Sequence, residues 1–257
     1  MIIVKSEREI ELMRKAGQIV ASVFKTLKPL LKPGISTQEL DEIAEKTIRD
    51  QGAYPTFKGY GGFPGAICIS INETLIHGIP SKREILKEGD IVSLDVGATY
   101  QGYCGDACRT YPVGQIAEKA ARLIRVTEES FWQAIKHVRE GAYLGTISHA
   151  IQEYNEKHGY SLPRDYTGHG IGSALHEDPP IPNYGKAETG PILIAGMCLA
   201  IEPMVASGRH QTRVLPDGWT VKMRDGKLSA HYENTIVVTK DGCEVLTTYE
   251  GEQINYG

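Results

Sequence analysis

The sequence predicts an α+β fold of two pseudo-symmetric halves, with helices packed on a curved, mainly antiparallel sheet. Three features carry the prediction: amphipathic segments opened by capping boxes, alternating apolar runs with Asp-Gly turns, and landmarks that recur at one offset. Gly34 and Gly141, Gly52 and Gly159, Gly89 and Gly196, and Asp95 and Glu202 each stand 107 positions apart. In each half the first glycine closes a long helix, the second closes the next helix, and the third opens a strand ending in a carboxylate. Glycine is common, at 28 of 257 residues, so one coincidence would mean little. Four in the same order define a single domain, 1–257, with an internal repeat of about 1–113 and 114–257.

Ser6-Glu7-Arg8-Glu9 is a capping box, and Ile10, Met13, Val20, Phe24 and Leu27 follow at helical spacing. The first helix therefore runs to about Leu31 and stops at Pro33-Gly34. Ser36 and Glu39 form a second capping box ahead of Leu40, Ile43, Ala44 and Ile48, a helix that Gly52 ends. Residues 66–72 and 90–100 alternate and are read as strands. Asp225-Gly226 and Asp241-Gly242 each lie between strand-like runs, which predicts a hairpin at both.

Hydrophobic residues at 41% and charged residues at 23% belong to an ordinary globular chain, long enough for one large core. With 28 Lys+Arg against 32 Asp+Glu and no basic run, a nucleic-acid partner is not expected. The opening MIIVKSEREIELMRKAG holds no apolar stretch of signal-peptide or membrane-span length, which points to a cytoplasmic location without a membrane partner. Cys68, Cys104, Cys108, Cys198 and Cys243 are odd in number and lack zinc-finger spacing, so they read as reduced, buried thiols.

Asp95 ends the apolar run Ile91-Val92-Ser93-Leu94, where a carboxylate without a partner is costly. A tight turn at Tyr100-Gln101-Gly102 would bring Asp106 opposite or diagonal to it, and directly opposed side chains have Cβ atoms ~5 Å apart. The second half repeats the conflict, with Glu202 after Leu199-Ala200-Ile201 and Glu233 within a strand-like run from Ser229 to Ile236. Each close pair of acids costs about 4 kcal/mol at ~4 Å and an effective dielectric near 20. Protons or metals must relieve this, and two divalent ions balance four carboxylates. Any one of these acids alone reads more simply as a strand-end residue paired with Arg or Lys; four in repeated contexts favour metal. Oxygen-rich ligation with one imidazole suits Mn(II), Fe(II) or Co(II) at least as well as Zn(II).

His169, in Gly168-His169-Gly170-Ile171-Gly172, is the candidate imidazole ligand, because Gly-His-Gly is an unusual setting for a core histidine. His176 follows in Leu175-His176-Glu177. His77, between Ile76 and Gly78, either reaches a cleft or hydrogen-bonds within its own turn, and both readings stay open. The chain has no H-E-x-x-H, G-x-S-x-G, phosphate-loop or strand-linked dinucleotide motif. Gly59-Tyr60-Gly61-Gly62 lacks the Lys of a phosphate cradle and reads as a mobile loop.

Ser70-Ile71-Asn72-Glu73, His77-Gly78-Ile79-Pro80, Asp95-Val96-Gly97, Gly105-Asp106, the Gly168–Gly172 run, His176-Glu177, Ile201-Glu202-Pro203 and Ser229-Ala230-His231-Tyr232-Glu233 together resemble the type I methionine aminopeptidases of the pita-bread fold, along nearly the whole chain. Only 33 positions separate His169 from Glu202, too few for the helical insertion of the type II enzymes. The resemblance implies that Asp106 and Glu233 bridge two divalent ions (Co, Mn, Fe or Zn), that Asp95 binds one, and that His169 and Glu202 bind the other. It implies hydrolytic removal of the initiator methionine when the second residue is small. Glu202 would accept and return a proton, His176 would stabilise the oxyanion, and His77 would contact the scissile amide nitrogen. Tyr60, Phe63, Cys68, His77 and Trp219 match the methionine pocket, joined by Phe57, Leu175 and His176, although Trp219 also suits an ordinary core.

Two departures stand out. His231 occupies a position where Gln is usual, with Asn234 following Glu233 where His is common, and Phe57 replaces a frequent Cys. His231 shares a strand face with Glu233 and is read as supporting the ligands rather than binding metal. The expected partners are peptides with N-terminal methionine and nascent chains, with transient ribosome association, and the chain is expected to be a monomer. Prolidases and proline aminopeptidases share this fold and these ligands. Only 94 residues precede Asp95, all used by the repeat, so their amino-terminal domain is not expected. A binding module that has lost catalysis is the other alternative, opposed by five intact ligands.

Overall fold

The computed structural model describes residues 1–249 and 251–252. Helix α1 (Glu7–Leu27) starts where predicted, the Glu9 carboxylate accepting from the Ser6 N–H and hydroxyl at 2.7 Å each. It ends at Leu27, a turn before the predicted end near Leu31, because Pro29, without an N–H, tightens Lys28–Leu30 into a 3₁₀ turn. In α2 (Thr37–Arg49) the Ser36 hydroxyl accepts from the Glu39 N–H at 3.2 Å. Helices α3 (Glu118–Ile135) and α4 (Leu144–Lys157) form the matching pair, without side-chain caps.

The strands are β1 (Tyr54–Pro55), β2 (Cys68–Ile71), β3 (Thr74–Ile76), β4 (Ile91–Tyr100), β5 (Tyr103–Pro112), β6 (Thr167–Gly170) and β7 (Glu177–Pro182) in the first part of the chain. There follow β8 (Cys198–Ile201), β9 (Met204–Ala206), β10 (Thr212–Val214), β11 (Val221–Met223), β12 (Ser229–His231), β13 (Glu233–Val238) and β14 (Cys243–Val245). One antiparallel sheet runs β1-β4-β5-β13-β8-β6-β7, with β2 added to β4 and β14 to β13. Its middle is the β5–β13 ladder, where Cys108 faces Glu233 and Ala107 faces Asn234.

Contacts recur at the offset seen in the sequence. Ser36 bridges Ile85 as Tyr143 bridges Ile192, and the Gly34 N–H donates to Leu86 as the Gly141 N–H donates to Leu193. Gly34 and Gly141 thus stand beyond their helices, fixing the chain against the loop that enters the next strand. Helices α1 and α2 bury Ile19, Phe24, Leu40 and Ile48 with Val92, Leu94 and Val96 of β4. Helices α3 and α4 bury Leu123, Phe131, Ile147 and Ile151 with Leu199, Ile201 and Ile236. Four of the cysteines are buried and Cys243 is partly so, all as free thiols. No described helix is long and apolar enough to cross a membrane.

The hairpin at Asp241-Gly242 forms, joining β13 to β14 with Val238 opposite Cys243. The hairpin predicted at Asp225-Gly226 does not. Strand β11 pairs with β10 and β3, whereas β12 pairs with β9. The dipeptide still turns, with Gly226 at φ +68°, but the Asp225 carboxylate accepts from the Arg209 and Lys227 N–H groups. That anchorage sends the chain from one sheet to another instead of back along its neighbour.

Candidate metal centre

Antiparallel register gathers the separated acids onto one face. Asp95 and Glu233 both stand opposite Cys108, on the two strands flanking β5, and Asp106 lies two residues from Cys108. Asp95 and Asp106 are therefore diagonal neighbours rather than directly opposed. Asn234 pairs with Ile201, which sets Glu202 beside Glu233, and His169 pairs with Ala200 on the same face as Glu202. All five residues predicted as ligands project from this face. The glycines around His169 answer to packing: a Cβ on Gly170 would sit 2.1 Å from the Asp178 carbonyl oxygen, and one on Gly168 2.4 Å from that of Ala200.

Asp106, His169 and Glu233 present donor atoms within 4.8 Å of one another, and so do Glu202, His231 and Glu233. His169 Nε2 lies 3.8 Å from Asp106 and 3.7 Å from Glu202. His231 Nε2 lies 3.4 Å from Glu202 and 3.9 Å from Glu233. Asp95 joins neither triad, but its Oδ1, like Asp106 Oδ1 and Glu233 Oε1, is buried without a hydrogen-bond partner among the described residues. Among those residues only histidine nitrogens form ion-pair contacts with Asp106, Glu202 and Glu233, and Asp95 forms none.

Burial raises Asp95 to about 7, eased by His231 and reinforced by Glu202. Burial also drives Asp106, Glu202 and Glu233 well above the usual carboxylate range, with neighbouring acids adding to the rise at Asp106 and Glu233. Burial lowers His169 and His231 to about 4, leaving neutral imidazoles with a lone pair to offer. Unpartnered carboxyl oxygens, neutral imidazoles and four acids that burial keeps from ionising without a counter-charge are what a divalent cation completes, so the donor set fits a metal.

The cluster lines a cavity with Phe57, Tyr60, Phe63, Cys68, His77, Leu175, His176 and Trp219, every residue the sequence placed at the substrate. Ile76, Tyr166 and Thr167 line it too and were missed; their only signal was adjacency to His77 and to the Gly-His-Gly run. Phe63 meets Trp219 edge-on with centroids 5.2 Å apart, and His77 meets Trp219 and Tyr166 edge-on at 6.1 and 6.3 Å. His77 makes no side-chain hydrogen bond among the described residues and holds φ at +58°, a left-handed strain of order 1–3 kcal/mol that tends to mark functional positions. The next residue packs too closely for any side chain, since a Cβ on Gly78 would lie 2.0 Å from the Ile69 carbonyl oxygen. The Tyr60 hydroxyl is 2.7 Å from His176 Nδ1, and the His176 ring sits 4.4 Å from that of His169.

Two buried charges outside the predicted set brace the centre. Lys5 pairs with Glu177 at 2.6 Å, next to His176. Arg109 donates to the carbonyls of Cys108 and Glu233, to Asn234 Oδ1 at 2.8 Å and to Glu252 at 2.8 Å. Asn234 therefore turns towards Arg109 and Thr247, away from the acids.

The profile of metallopeptidase family M24 matches residues 11–240. The methionine aminopeptidase of Clostridium acetobutylicum is 53% identical over 250 residues, covering 97% of this chain and 100% of its own. The crystal structure of methionine aminopeptidase from Thermotoga maritima superposes with a TM-score of 0.96 at 47% identity, covering 97% of this chain and 100% of that one. Prolidase from Pyrococcus furiosus gives 0.79 at 26% identity, covering 96% of this chain and 66% of that one. The acid-and-imidazole face, the pita-bread fold and the full-length likeness lead to one assignment: the chain belongs to metallopeptidase family M24, among the methionine aminopeptidases.

Proposed function

We propose that the chain removes the initiator methionine from nascent proteins, using two divalent ions held by Asp95, Asp106, His169, Glu202 and Glu233. The observation that carries this reading is the single sheet face on which five donors, several without protein partners, adjoin an aromatic-lined cavity. Asp106 and Glu233 lie centrally and would serve both ions, Asp95 would serve one, and His169 with Glu202 would serve the other. Bound metal would polarise the scissile carbonyl and ease deprotonation of the attacking water.

The protein's own groups do the rest. Glu202, at 12% side-chain exposure the most open of the acids in ion-pair contact, takes the proton from water and returns it to the leaving amine. A Tyr60 hydroxyl donating to His176 Nδ1 puts the ring proton on Nε2, the tautomer that donates to an oxyanion. His77, bent into the cavity, contacts the scissile amide nitrogen. Phe63, Trp219, Tyr60 and Cys68 accept the methionine side chain, whose thioether packs favourably on aromatic edges. Partners are then unfolded N-terminal segments rather than folded proteins.

The test is metal-free protein reconstituted with Mn, Fe, Co or Zn and given Met-Ala-Ser and Ala-Pro peptides, with and without chelator. Methionine release that the chelator abolishes is expected. Absence of release with all four metals would sink the proposal, and cleavage of Ala-Pro in its place would move the chain to the prolidase activity.

A further inference from the structure

His231 stands outside the five-residue set, yet its ring is placed like a member of it. Its backbone is pinned at both ends of the peptide: the N–H donates to the Thr110 hydroxyl oxygen at 3.0 Å, and that hydroxyl donates to its carbonyl at 2.8 Å. As the residue two before Glu233, it extends the same face of the chain. It is 2% exposed, and neither ring nitrogen has a hydrogen-bond partner among the described residues. A buried imidazole in that state is costly unless a ligand completes it.

The distances separate two ways of completing it. At 3.4 Å from Glu202 Oε2 and 3.9 Å from Glu233 Oε2, Nε2 is too far for a good hydrogen bond to either. Donors about 2.1 Å from a shared ion, by contrast, stand roughly 3–4 Å apart. His169 Nε2 keeps the same kind of separation from its own acids, 3.8 and 3.7 Å. Glu202 thus lies between two imidazoles, Oε1 towards His169 and Oε2 towards His231.

We propose that His231 Nε2 is a sixth metal ligand of the centre, adding a second imidazole at the edge shared by Glu202 and Glu233. The proposal rests on the two-ion reading above. A second nitrogen donor makes the site less oxygen-rich, which favours Co(II) and Zn(II) over Mn(II) at the ion it touches.

Cobalt alone is the probe. His169 Nδ1 is 2.9 Å from the Gly170 carbonyl oxygen, which leaves Nε2 free for metal and a proton on Nδ1. Each ligated ring should then give one strongly shifted, exchangeable proton signal in the NMR spectrum of the Co(II)-loaded protein. Wild type carrying two Co(II) ions should show two such signals, and His231→Gln and His231→Asn one. Calorimetric titration should show the affinity for one Co(II) falling about tenfold or more in the variants, with Mn(II) affinity changed less than about threefold. Two bound Co(II) ions with a single shifted imidazole signal in wild type would overturn the proposal and leave the two-ion reading standing. Failure of wild type to take up two ions would overturn both. Because wild type alone decides the NMR test, a variant that folds poorly does not weaken it.

Discussion

Glu202 is the acid on which the proposed proton transfer and ligation meet, since one carboxylate oxygen faces His169 and the other His231. Replacing it with Gln keeps size and one oxygen donor but removes the basic site. The expected outcome is a fall in kcat of about 10²- to 10⁴-fold with a smaller change in KM, measured on metal-loaded protein with Met-Ala-Ser. Turnover near the wild-type rate would contradict its role. The sequence made this residue visible because a carboxylate at the end of an apolar strand demands an explanation, and four of them demand the same one. It did not disclose what His231 does. Alternation gives the face on which a residue lies, but not whether its ring stops at hydrogen-bonding or ligating distance, and supporting and ligating roles look alike until the Glu202–His231 separation is known. Arg109 escaped notice for a different reason. A lone arginine in Ala107-Cys108-Arg109 carries no pattern, and its partners Asn234 and Glu252 lie more than a hundred residues away.

Secondary elements show the same boundary between local and distant information. Both Asp-Gly pairs turn the chain as their φ preferences dictate, yet only Asp241-Gly242 joins neighbours in a sheet. At Asp225-Gly226 the choice of partner is made by β9 and β3, which offer open edges to β12 and β11, and nothing within the five local residues encodes those edges. The amino-terminal segment likewise carries no local signal for what it touches. In the structure Val4 bridges Met197 and Lys5 reaches Glu177, so the segment clamps the loop that carries His176 onto the start of β8. Lys5 and Glu177 side chains are 2% and 6% exposed, and removing one partner strands a buried charge. Lys5→Met should therefore lower stability by about 3–5 kcal/mol and reduce kcat as the His176 loop loosens. Lys5→Met combined with Glu177→Leu should regain most of the stability without regaining full turnover. Chemical denaturation of the two variants checks the first claim and steady-state kinetics the second; equal stability for the single and double variants would contradict it.

At the scale of the molecule, two helix-covered halves meet along the β5–β13 ladder, and the charges along that seam decide how stable the whole is. Arg109 ties β5, β13 and the Glu252 segment together from behind the acids. Arg109→Met should cost about 3–5 kcal/mol in denaturant titrations, because Glu252 and the Glu233 carbonyl lose a buried cation together. In front of the seam, the four acids make stability depend on pH and metal jointly. Without metal their folded values lie above the ordinary 3.8 and 4.5, so the folded chain retains protons that the unfolded chain has released. Their contribution is fully present below about pH 4 and is lost as pH rises through the folded values, about 7 for Asp95. His169 and His231, lowered from 6.5 to about 4, act the other way: their contribution is present above 6.5 and is lost as pH falls towards 4. The two effects oppose each other between pH 4 and 6.5, whereas above 6.5 only the acids still titrate. Metal binding takes the place of their protons, so it must release protons and tighten as pH rises. In the window from pH 6.5 to 8 the chelated protein should lose roughly 1.4 kcal/mol per pH unit for each proton the folded chain still holds and the unfolded chain does not, while the metal-loaded protein stays nearly flat. The difference in Tm between the two forms should therefore widen steadily across that window. A difference independent of pH would mean that the acids are already ionised in the metal-free fold, and that something other than metal holds them together.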